Sequence, residues 1–377
     1  MTKTVFDIRI DLNKSHGSYV YDKKTQKTFL DFFSMFSSLP LGYNHSIFDD
    51  SFSKKVSEIS HIKMANNLFE TDEFLDFKKK FDSISVLKNK HFCSTGALAV
   101  ESAIKCAYEY KKNRNLKVLS VKNNFHGINS WGFTTDNKMP SVINRTINYP
   151  LNDWEHPNIE DVPDYIENNS DKLVAVVIEP IQCTAGDIYL DRKTLIDINK
   201  VCNEKDICFI CDEIQTGFGV TGSYWYSEKI GLNPDIIVFG KKSQIFGVMT
   251  NDKYSEAIDS NYRKLEVTFD GDLIDAIRCM YIIAAIEKND LLKKVRSNSK
   301  ILFDELSNHF LNYRSTGHLI AFDFTTEEHR NNFVQEVFFD NMLINPTGEK
   351  TVRMRPNLAL SDDEIDKAIK VLIKNKI

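Results

Sequence analysis

The sequence Cys211-Asp212-Glu213-Ile214-Gln215-Thr216-Gly217 comes directly after an apolar run at residues 207–210. A second, largely apolar run at residues 234–239 leads in the same way to Lys241. Runs of this kind are typical of strands that are buried on both faces of a parallel sheet. The carboxyl ends of parallel strands meet at one edge of the sheet, where open α/β folds bind their ligands. We therefore expect Asp212 and Lys241 to converge on one crevice.

A lysine and a carboxylate in one crevice are the two groups that pyridoxal phosphate requires of a protein. The lysine forms a Schiff base with the aldehyde of the cofactor. The carboxylate keeps the ring nitrogen protonated, so that the ring can accept electrons. The sequence therefore predicts a pyridoxal-phosphate enzyme in which Lys241 and Asp212 carry the chemistry.

The composition of the 377-residue chain is that of an ordinary globular protein, with 42% hydrophobic and 27% charged residues. The net charge of -5 and the pI near 6.0 give no reason to expect nucleic acid or an anionic membrane as a partner. No apolar run approaches the length of about 18 residues that spans a bilayer, and the N-terminus does not resemble a signal peptide. We expect a cytoplasmic protein without membrane contacts.

The seven cysteines are scattered along the sequence and odd in number. Cys208 and Cys211 have the CxxC spacing of metal and redox sites, but they lie inside a predicted buried strand and no second pair accompanies them. We interpret them as buried thiols of a protein from a reducing compartment, and we expect no metal site.

Strand-like and helix-like segments alternate through the middle of the chain, as in a mostly parallel sheet covered by helices. Strands are predicted at residues 91–93, 117–121, 173–178, 207–212 and 234–239, and a helix at residues 97–112. The pattern changes after about residue 280. There the sequence predicts a long helix at residues 272–309, a strand at 318–324, a turn at 345–348 and an amphipathic helix at 361–374 with a capping-box start.

This change of pattern predicts two domains of unequal size. We assign residues 41–280 to a large cofactor-binding domain and residues 281–377 to a smaller α+β domain. The N-terminal segment, residues 1–40, is expected to join the smaller domain.

Other residues near these strand ends are consistent with a cofactor site. Residues 94–99 form a small-residue turn that opens a helix, and such a turn offers backbone N–H groups and the positive helix end to a phosphate. Phe125 can stack on a flat ring, Ile214 can pack on its opposite face, and Gln215 can hydrogen-bond its phenolic oxygen. Taken alone, each of these features is more typical of ordinary turn or core structure.

Several longer motifs accompany these residues between about residue 30 and residue 361. They are Gly42-Tyr43-Asn44-His45, Gly96-Ala97-Leu98-Ala99-Val100-Glu101, the Asp212 stretch with Gly219 and Thr221-Gly222, Phe239-Gly240-Lys241-Lys242-Ser243-Gln244, and Arg353-Met354-Arg355-Pro356. In this combination the chain resembles the class III (subgroup II) aminotransferases of fold type I, and among them the lysine 6-aminotransferases most. The resemblance implies a large domain with a mostly parallel seven-stranded sheet, a smaller α+β domain and pyridoxal phosphate as cofactor.

The resemblance also implies a role for each matching residue. Lys241 matches the Schiff-base lysine, because the family's lysine directly follows a small residue, here Gly240, and Lys242 is then its neighbour. Asp212 matches the partner of the ring nitrogen. The remaining matches are the backbone of Gly96 and Ala97 for the phosphate, Phe125 for the ring face, Gln215 for the phenolic oxygen, Thr268 for the phosphate of a second subunit, and Arg355 for the carboxylate of 2-oxoglutarate or glutamate. The place of Thr268 implies a homodimer with shared active sites.

Two positions depart from the pattern of the lysine 6-aminotransferases. Ile128 stands where those enzymes have an arginine for the α-carboxylate of the substrate. Thr184 stands where they have a glutamate that pairs with the carboxylate-binding arginine. Free lysine with an ionised α-carboxylate is therefore an unexpected donor, and a modified or tethered lysine fits better.

A third departure lies at residues 268–272, Thr-Phe-Asp-Gly-Asp, where relatives usually show Gly-Gly-Asn after the aromatic residue. The two added carboxylates, Asp270 and Asp272, can attract an amine substrate or cap the helix that begins there. We favour the helix cap, because aspartate is a preferred residue at that position.

The reaction expected from these residues is transamination from an ω-amine, either lysine-like or a modified lysine, to a keto acid, with 2-oxoglutarate as the expected acceptor. Decarboxylation, racemisation and amino-group migration use the same fold and cofactor, and they stay open as alternatives. A non-catalytic binding protein is disfavoured, because a degenerate site would have lost Lys241, Asp212 and Gln215.

Overall fold

A computed structural model describes residues 6–66, 68–129, 157–259 and 264–376. The chain divides into two compact units. The first, called the small unit, contains residues 1–55, 219–222 and 281–377; the second, called the large unit, contains residues 56–218 and 223–280. The functional domain limits near residues 40 and 280 stay predictions. Within the described ranges, every helix is too short or too polar to cross a bilayer.

The strands of the described residues are β1 Tyr19–Tyr21, β2 Thr28–Asp31, β3 Asn89–Cys93, β4 Lys117–Ser120, β5 Leu173–Ile178, β6 Ile181–Gln182, β7 Ile188–Tyr189, β8 Cys208–Asp212, β9 Ile236–Phe239, β10 Phe246–Thr250, β11 Leu311–Thr316, β12 Leu319–Asp323, β13 Met342–Leu343, β14 Asn345–Thr347 and β15 Thr351–Met354. The helices are α1 Asp50–Ile59, α2 Asp72–Asp82, α3 Gly96–Lys111, α4 Val162–Asn169, α5 Arg192–Glu204, α6 Tyr226–Ile230, α7 Glu256–Asp259, α8 Leu273–Lys288, α9 Leu291–Leu306, α10 Glu327–Phe339 and α11 Asp362–Lys374. Short 3-10 turns lie at Ile159–Asp161, Ser170–Lys172, Lys241–Ser243 and Asp252–Tyr254, and a left-handed helical turn lies at Ser34–Ser37.

The sheet of the large unit has the strand order β3-β10-β9-β8-β5-β4. Strands β4, β5, β8 and β9 are parallel, and β10 is antiparallel to both of its neighbours. The prediction of a mostly parallel sheet is therefore confirmed. The described residues supply six strands to it rather than the expected seven, and residues 130–156, between β4 and β5, lie outside the described ranges.

Helices cover both faces of this sheet. On β5, Ala175 and Val177 belong to an apolar core that includes residues of α3. Their neighbours Val176 and Ile178 belong to a second core that includes residues of α4 and α5. Because side chains alternate along a strand, both faces must be apolar, and this explains the continuous apolar runs in the sequence.

The register of the parallel strands determines the position of three polar residues at the edge of the sheet. Ile178 of β5 pairs with Cys211 of β8, so Glu179 and Asp212 follow at the same edge. Strand β9 runs parallel to β8 and leads through a glycine to Lys241. Neighbouring strands lie about 4.8 Å apart. One sheet edge therefore carries two carboxyl groups and one amine close together.

The small unit contains an antiparallel sheet in the order β11-β12-β15-β14 and a three-stranded sheet in the order β1-β2-β13. Strand β2 pairs in parallel with β13, so the N-terminal segment and the C-terminal part of the chain share one sheet. A core of buried side chains joins α9, β12, α10 and α11.

Two predictions for the C-terminal part are wrong. The helical pattern at residues 272–309 forms two helices, α8 and α9, and Asp290 between them has a left-handed backbone with φ +48°. A right-handed helix cannot continue through that conformation. Residues 345–347, expected in a turn, form strand β14 at the edge of its sheet. Pro346 is tolerated there because an edge strand does not need every N–H group for pairing.

The predicted capping box at the start of α11 is confirmed. Ser361 Oγ accepts a hydrogen bond from the N–H of Glu364 at 3.3 Å, and Glu364 Oε2 accepts one from the N–H of Ser361 at 2.8 Å. Glu364 Oε1 also accepts a hydrogen bond from the N–H of Ser18 at 3.0 Å. The same side chain thus begins the last helix and holds the N-terminal segment.

Replacing Ser361 tests this cap. Ser361→Ala should lower the free energy of unfolding by about 1 kcal/mol, because the N–H of Glu364 loses its acceptor. Ser361→Thr keeps a hydroxyl group at the position and should stay closer to the wild type. Urea unfolding followed by circular dichroism measures the difference, and equal midpoints for all three proteins would show that the cap contributes nothing.

Candidate active site

Asp212 is buried at the end of β8, and both of its carboxylate oxygens are engaged. Oδ2 lies 2.8 Å from Nδ1 of His126, and Oδ1 accepts a hydrogen bond from the N–H of Ile214 at 3.0 Å. The side chains of Asp212 and His126 are only 3% and 0% exposed. Because groups of the protein bind both oxygens, the carboxylate has a fixed orientation. A ligand atom can then bind to it without the side chain having to reorient.

Glu179 lies at the same sheet edge, directly after β5, and is also buried. Its Oε1 accepts a hydrogen bond from the N–H of Phe125 at 2.7 Å. Burial, and then the charge of Asp212, raise the pKa of Glu179 to about 7, while His126, the Phe125 N–H and Lys241 act in the opposite direction. The edge therefore holds an acid that ionises near neutral pH.

Amide groups fix the rest of the segment after β4, residues 122–127, which we call the β4 loop. Gln182 Nε2 donates to the carbonyl of Lys122 at 2.7 Å and to Oδ1 of Asn124 at 2.9 Å. Asn124 Nδ2 in turn donates to the carbonyl of Val177 at 3.1 Å. Lys122 and Asn124 of the β4 loop are thus bound by Gln182 of β6, and Asn124 also by Val177 of β5.

The two adjacent lysines differ in their surroundings. Lys241 is half-buried and begins a 3-10 turn with a left-handed backbone, φ +52°, which is uncommon for a residue other than glycine. The side chain of Lys242 is buried, with 1% exposure. A Cβ atom at Gly240 would overlap the ring of Phe246, so the position before Lys241 requires glycine.

The first turn of α3 has N–H groups that the helix itself does not use. The N–H groups of Gly96 and Ala97 have no acceptor within the helix, and they lie at its positive end. A Cβ atom at Gly96 would lie 2.9 Å from Cδ1 of Ile214, and one at Gly127 would lie 3.0 Å from Cβ of Ala97. The structure therefore brings the start of α3, the side chain of Ile214 and the end of the β4 loop together.

Gln215 supplies an observation that points to a ligand. The residue is buried, and its Oε1 has no hydrogen-bond partner among the described residues. Buried polar groups in proteins are rarely left unpaired, so a ligand atom is expected to meet this oxygen. This oxygen can accept a hydrogen bond from the phenolic hydroxyl group of pyridoxal phosphate. The carboxylate of Asp212, the amine of Lys241 and the N–H groups of α3 fit the ring nitrogen, aldehyde and phosphate of the same cofactor.

Thr268 lies exposed on the turn that leads into α8. Ser94 Oγ donates to the carbonyl of Phe269 at 3.2 Å, which ties this turn to the segment before α3. The expectation of a helix cap is confirmed for Asp272 only, because its Oδ1 accepts hydrogen bonds from the N–H groups of Ile274 and Asp275 at 2.9 and 3.3 Å.

The other added carboxylate, Asp270, is not part of the cap. It accepts a hydrogen bond from the N–H of Val267 at 2.9 Å, and it lies 3.4 Å from Nε2 of His91. Asp270 is itself buried. It therefore shapes the turn that carries Thr268 and offers no exposed charge to an amine.

The three predicted substrate residues have different environments. Ile128 is 63% exposed, just beyond the β4 loop, and Thr184 is half-buried after β6. Arg355 belongs to the small unit and is buried, where its Nη1 donates to the carbonyls of Met354 and Ile320 at 3.0 and 3.4 Å. The roles of these residues in substrate binding stay predictions.

The cysteines are buried thiols, as the sequence predicts. All seven cysteines are buried and outside disulfides. Burial raises the pKa of Cys208 and of Cys211 well above the usual range of a thiol, which keeps both protonated. Among the described residues no group of three or more side chains is arranged to hold a metal ion.

The family model of the class-III aminotransferases matches residues 1–375. The chain belongs to this family. It is 30% identical to the L-lysine-epsilon aminotransferase of Streptomyces clavuligerus, over 97% of this chain and 90% of that protein. It is 29% identical to the enzyme of the same name from Amycolatopsis lactamdurans, over 97% and 91%. The structure of lysine aminotransferase from Mycobacterium tuberculosis matches with a TM-score of 0.90 and 28% identity, covering 100% of this chain and 96% of that one.

This class-III aminotransferase is therefore a pyridoxal-phosphate-dependent transaminase of fold type I. Two residues of the candidate site, His126 and Glu179, were not predicted from the sequence. Glu179 had a usable signal, because it follows the apolar run at residues 173–178 as Asp212 follows its own run. His126 had none, because its pairing with Asp212 depends on how the β4 loop folds back on the sheet.

Proposed function

We propose that this aminotransferase moves the ω-amino group of a lysine-like or modified-lysine donor to a keto acid, with 2-oxoglutarate as acceptor. The observation that carries the proposal is the meeting of a fixed carboxylate, a lysine amine and a helix start at one sheet edge. The lysine-epsilon aminotransferases among its relatives support the class of donor.

Asp212 and Lys241 each have a chemical task in this proposal. When bound, pyridoxal phosphate supplies an aldehyde that captures an amine and a ring that withdraws electrons. Asp212, oriented by His126 and the N–H of Ile214, holds a proton at the ring nitrogen. The Nζ amine of Lys241 removes the proton from the donor carbon that bears the nitrogen, as a general base.

The remaining assignments concern binding. The N–H groups of Gly96 and Ala97 hold the phosphate, as helix starts commonly do. Phe125 and Ile214 would hold the ring between them, and Gln215 would bind its phenolic group. Arg355 is assigned to the carboxylate of the keto acid, since a guanidinium group can bind a carboxylate through two parallel hydrogen bonds.

Replacing the two lysines separately tests the main assignment. Lys241→Ala should reduce steady turnover by about 10²–10⁴-fold or more, because the general base is lost. Lys242→Ala is the matched control and should retain turnover per folded molecule. Glutamate formation measures turnover, and mass spectrometry after borohydride reduction locates the cofactor on the chain. Near-normal turnover of Lys241→Ala, or an adduct on Lys242, would contradict the assignment.

The donor preference is inferred from the residues at positions 128 and 184. Ile128 and Thr184 provide no charge for an ionised α-carboxylate or for a switching arginine. Ile128 is also exposed just after the β4 loop, where an apolar side chain favours a neutral or modified group on the donor. We therefore favour a donor whose end remote from the ω-amine is neutral, modified or tethered.

Introducing an arginine tests this preference. Ile128→Arg should raise kcat/KM for free lysine, relative to Nα-acetyl-lysine, by roughly tenfold or more, because a hydrogen bond to a charged group contributes about 1.5–3 kcal/mol. Ile128→Leu is the control and should leave the ratio unchanged. The assay compares lysine, Nα-acetyl-lysine and diamines with 2-oxoglutarate. Robust turnover of free lysine by the wild type would overturn the preference.

The proposal includes a homodimer in which Thr268 reaches the phosphate bound by the partner subunit. In support, Thr268 is exposed and its turn is held in place by Ser94 and Asp270. The neighbouring side chains of Val267 and Phe269 are exposed apolar groups of the kind that subunit contacts cover.

Sedimentation and cofactor titration test the shared site. The wild type should sediment at about twice the chain mass of 43.4 kDa. Thr268→Ala should keep that mass but bind the cofactor about tenfold more weakly, because a hydrogen bond to a charged phosphate is lost. Thr268→Ser retains the hydroxyl group and should bind nearly as the wild type. A monomer at micromolar concentration, or an unchanged affinity in Thr268→Ala, would exclude the shared site.

A further inference from the structure

Two carboxyl groups bind consecutive residues of the β4 loop. Glu179 accepts the N–H of Phe125 at 2.7 Å, and Asp212 lies 2.8 Å from Nδ1 of the next residue, His126. Each acid directly follows one member of the pair Ile178–Cys211, which joins the neighbouring strands β5 and β8. The place of Phe125 and His126 is therefore set by a pair of acids on the sheet, and Glu179 is the one that the transamination mechanism does not use.

We propose that Glu179 is a positioning residue of the transaminase, whose carboxylate fixes the backbone of Phe125 and thereby holds His126 on Asp212. The proposal rests on the assignment of Phe125 and Asp212 to the cofactor site under Proposed function. In this proposal Glu179 does not contact the cofactor. It acts on the site through the β4 loop.

A purely structural role does not explain this choice of residue well. Burying an acid is unfavourable, and a neutral amide side chain could accept the same N–H without the cost of burying a charge. The β4 loop is also held independently by Gln182, through Lys122 and Asn124. What the acid adds is a strong, directional acceptor for one particular N–H group, and a negative charge beside Asp212.

The protonation of Glu179 changes both of these contributions. Its pKa is raised to about 7 by burial and by Asp212, and the groups that act against this rise are His126, the Phe125 N–H and Lys241. Above that pH the carboxylate accepts the Phe125 N–H more strongly, and its charge favours a protonated ring held by Asp212. Cofactor affinity should therefore rise with pH across this range.

The stability of the cofactor-free protein should change in the opposite sense. The pKa of Glu179 is about 7 in the folded protein and 4.5 for an ordinary glutamate, so the folded state favours the protonated acid. Its contribution to stability is fully present below pH 4.5 and is lost as the pH rises to about 7. A buried glutamate with a purely structural role would produce the change in stability but not the change in cofactor affinity.

The test uses Glu179→Gln, which keeps an acceptor oxygen without the titration, and Glu179→Leu, which removes both. Asp235→Asn is the matched control. Asp235 is another buried acid of the same sheet, it accepts the N–H of Phe209 at 2.9 Å, and burial raises its pKa, but it lies at the start of β9 rather than at its end. Fluorescence titration gives the cofactor dissociation constant at pH 6 and pH 8, and thermal melting of cofactor-free protein gives stability.

At pH 8, Glu179→Leu should bind the cofactor roughly tenfold more weakly and Glu179→Gln about threefold more weakly. The affinity advantage of the wild type over Glu179→Gln should shrink at pH 6. The melting temperature of the cofactor-free wild type, relative to Glu179→Gln, should fall between pH 5 and pH 8. Asp235→Asn should bind the cofactor as the wild type does at both pH values.

Wild-type affinity in Glu179→Gln and Glu179→Leu at both pH values would overturn the proposal, and so would an equal loss in Asp235→Asn. If Glu179→Leu does not fold, the cofactor dissociation constants of Glu179→Gln at pH 6 and pH 8 test the proposal alone. If the cofactor site proposed above is wrong, borohydride reduction should instead place the cofactor on a residue other than Lys241. The melting experiment contains no cofactor and separates the two cases.

Discussion

The parallel register of β5, β8 and β9 is the constraint on which the site depends. Because of this register, three neighbouring strands end at the same edge of the sheet. Backbone pairing alone therefore brings Glu179, Asp212 and Lys241 to that edge, and no contact among their side chains is needed. The register is in turn set by helices on both faces, because a slip by one residue would turn each buried side chain to the opposite core. Hydrophobic packing thus determines the position of the polar groups.

The candidate site concentrates polar groups whose burial is unfavourable unless each is paired. Asp212 is satisfied by an imidazole and a backbone N–H, and Glu179 by the backbone of Phe125. Gln215 keeps an amide oxygen without a partner among the described residues, and Lys241 has a left-handed backbone. Such local costs are common where a protein is organised around a ligand, because the ligand completes the pairing.

The sequence predicted those features that follow from short-range patterns. Asp212 and Lys241 could be paired because each follows a run that is apolar on both faces. The break at Asp290 was missed, because no glycine or proline marks it and the apolar period continues on both sides. Pro346 suggested a turn, whereas the edge of a sheet accommodates it. The partner of His126 lies on a strand far along the chain, and no local pattern reports such a contact.

The three-stranded sheet of the small unit has a consequence for biosynthesis. Leu30 of β2 lies beside Met342 of β13, and the N–H of Ser18 is bound by the acid that begins the last helix. At about 5–20 residues per second, the ribosome delivers these partners some tens of seconds after the first strands emerge. During that interval an apolar strand with unpaired N–H and C=O groups is exposed on the nascent chain. Early chaperone contact is therefore expected at the N-terminal segment, and C-terminal truncation should leave that segment prone to aggregation.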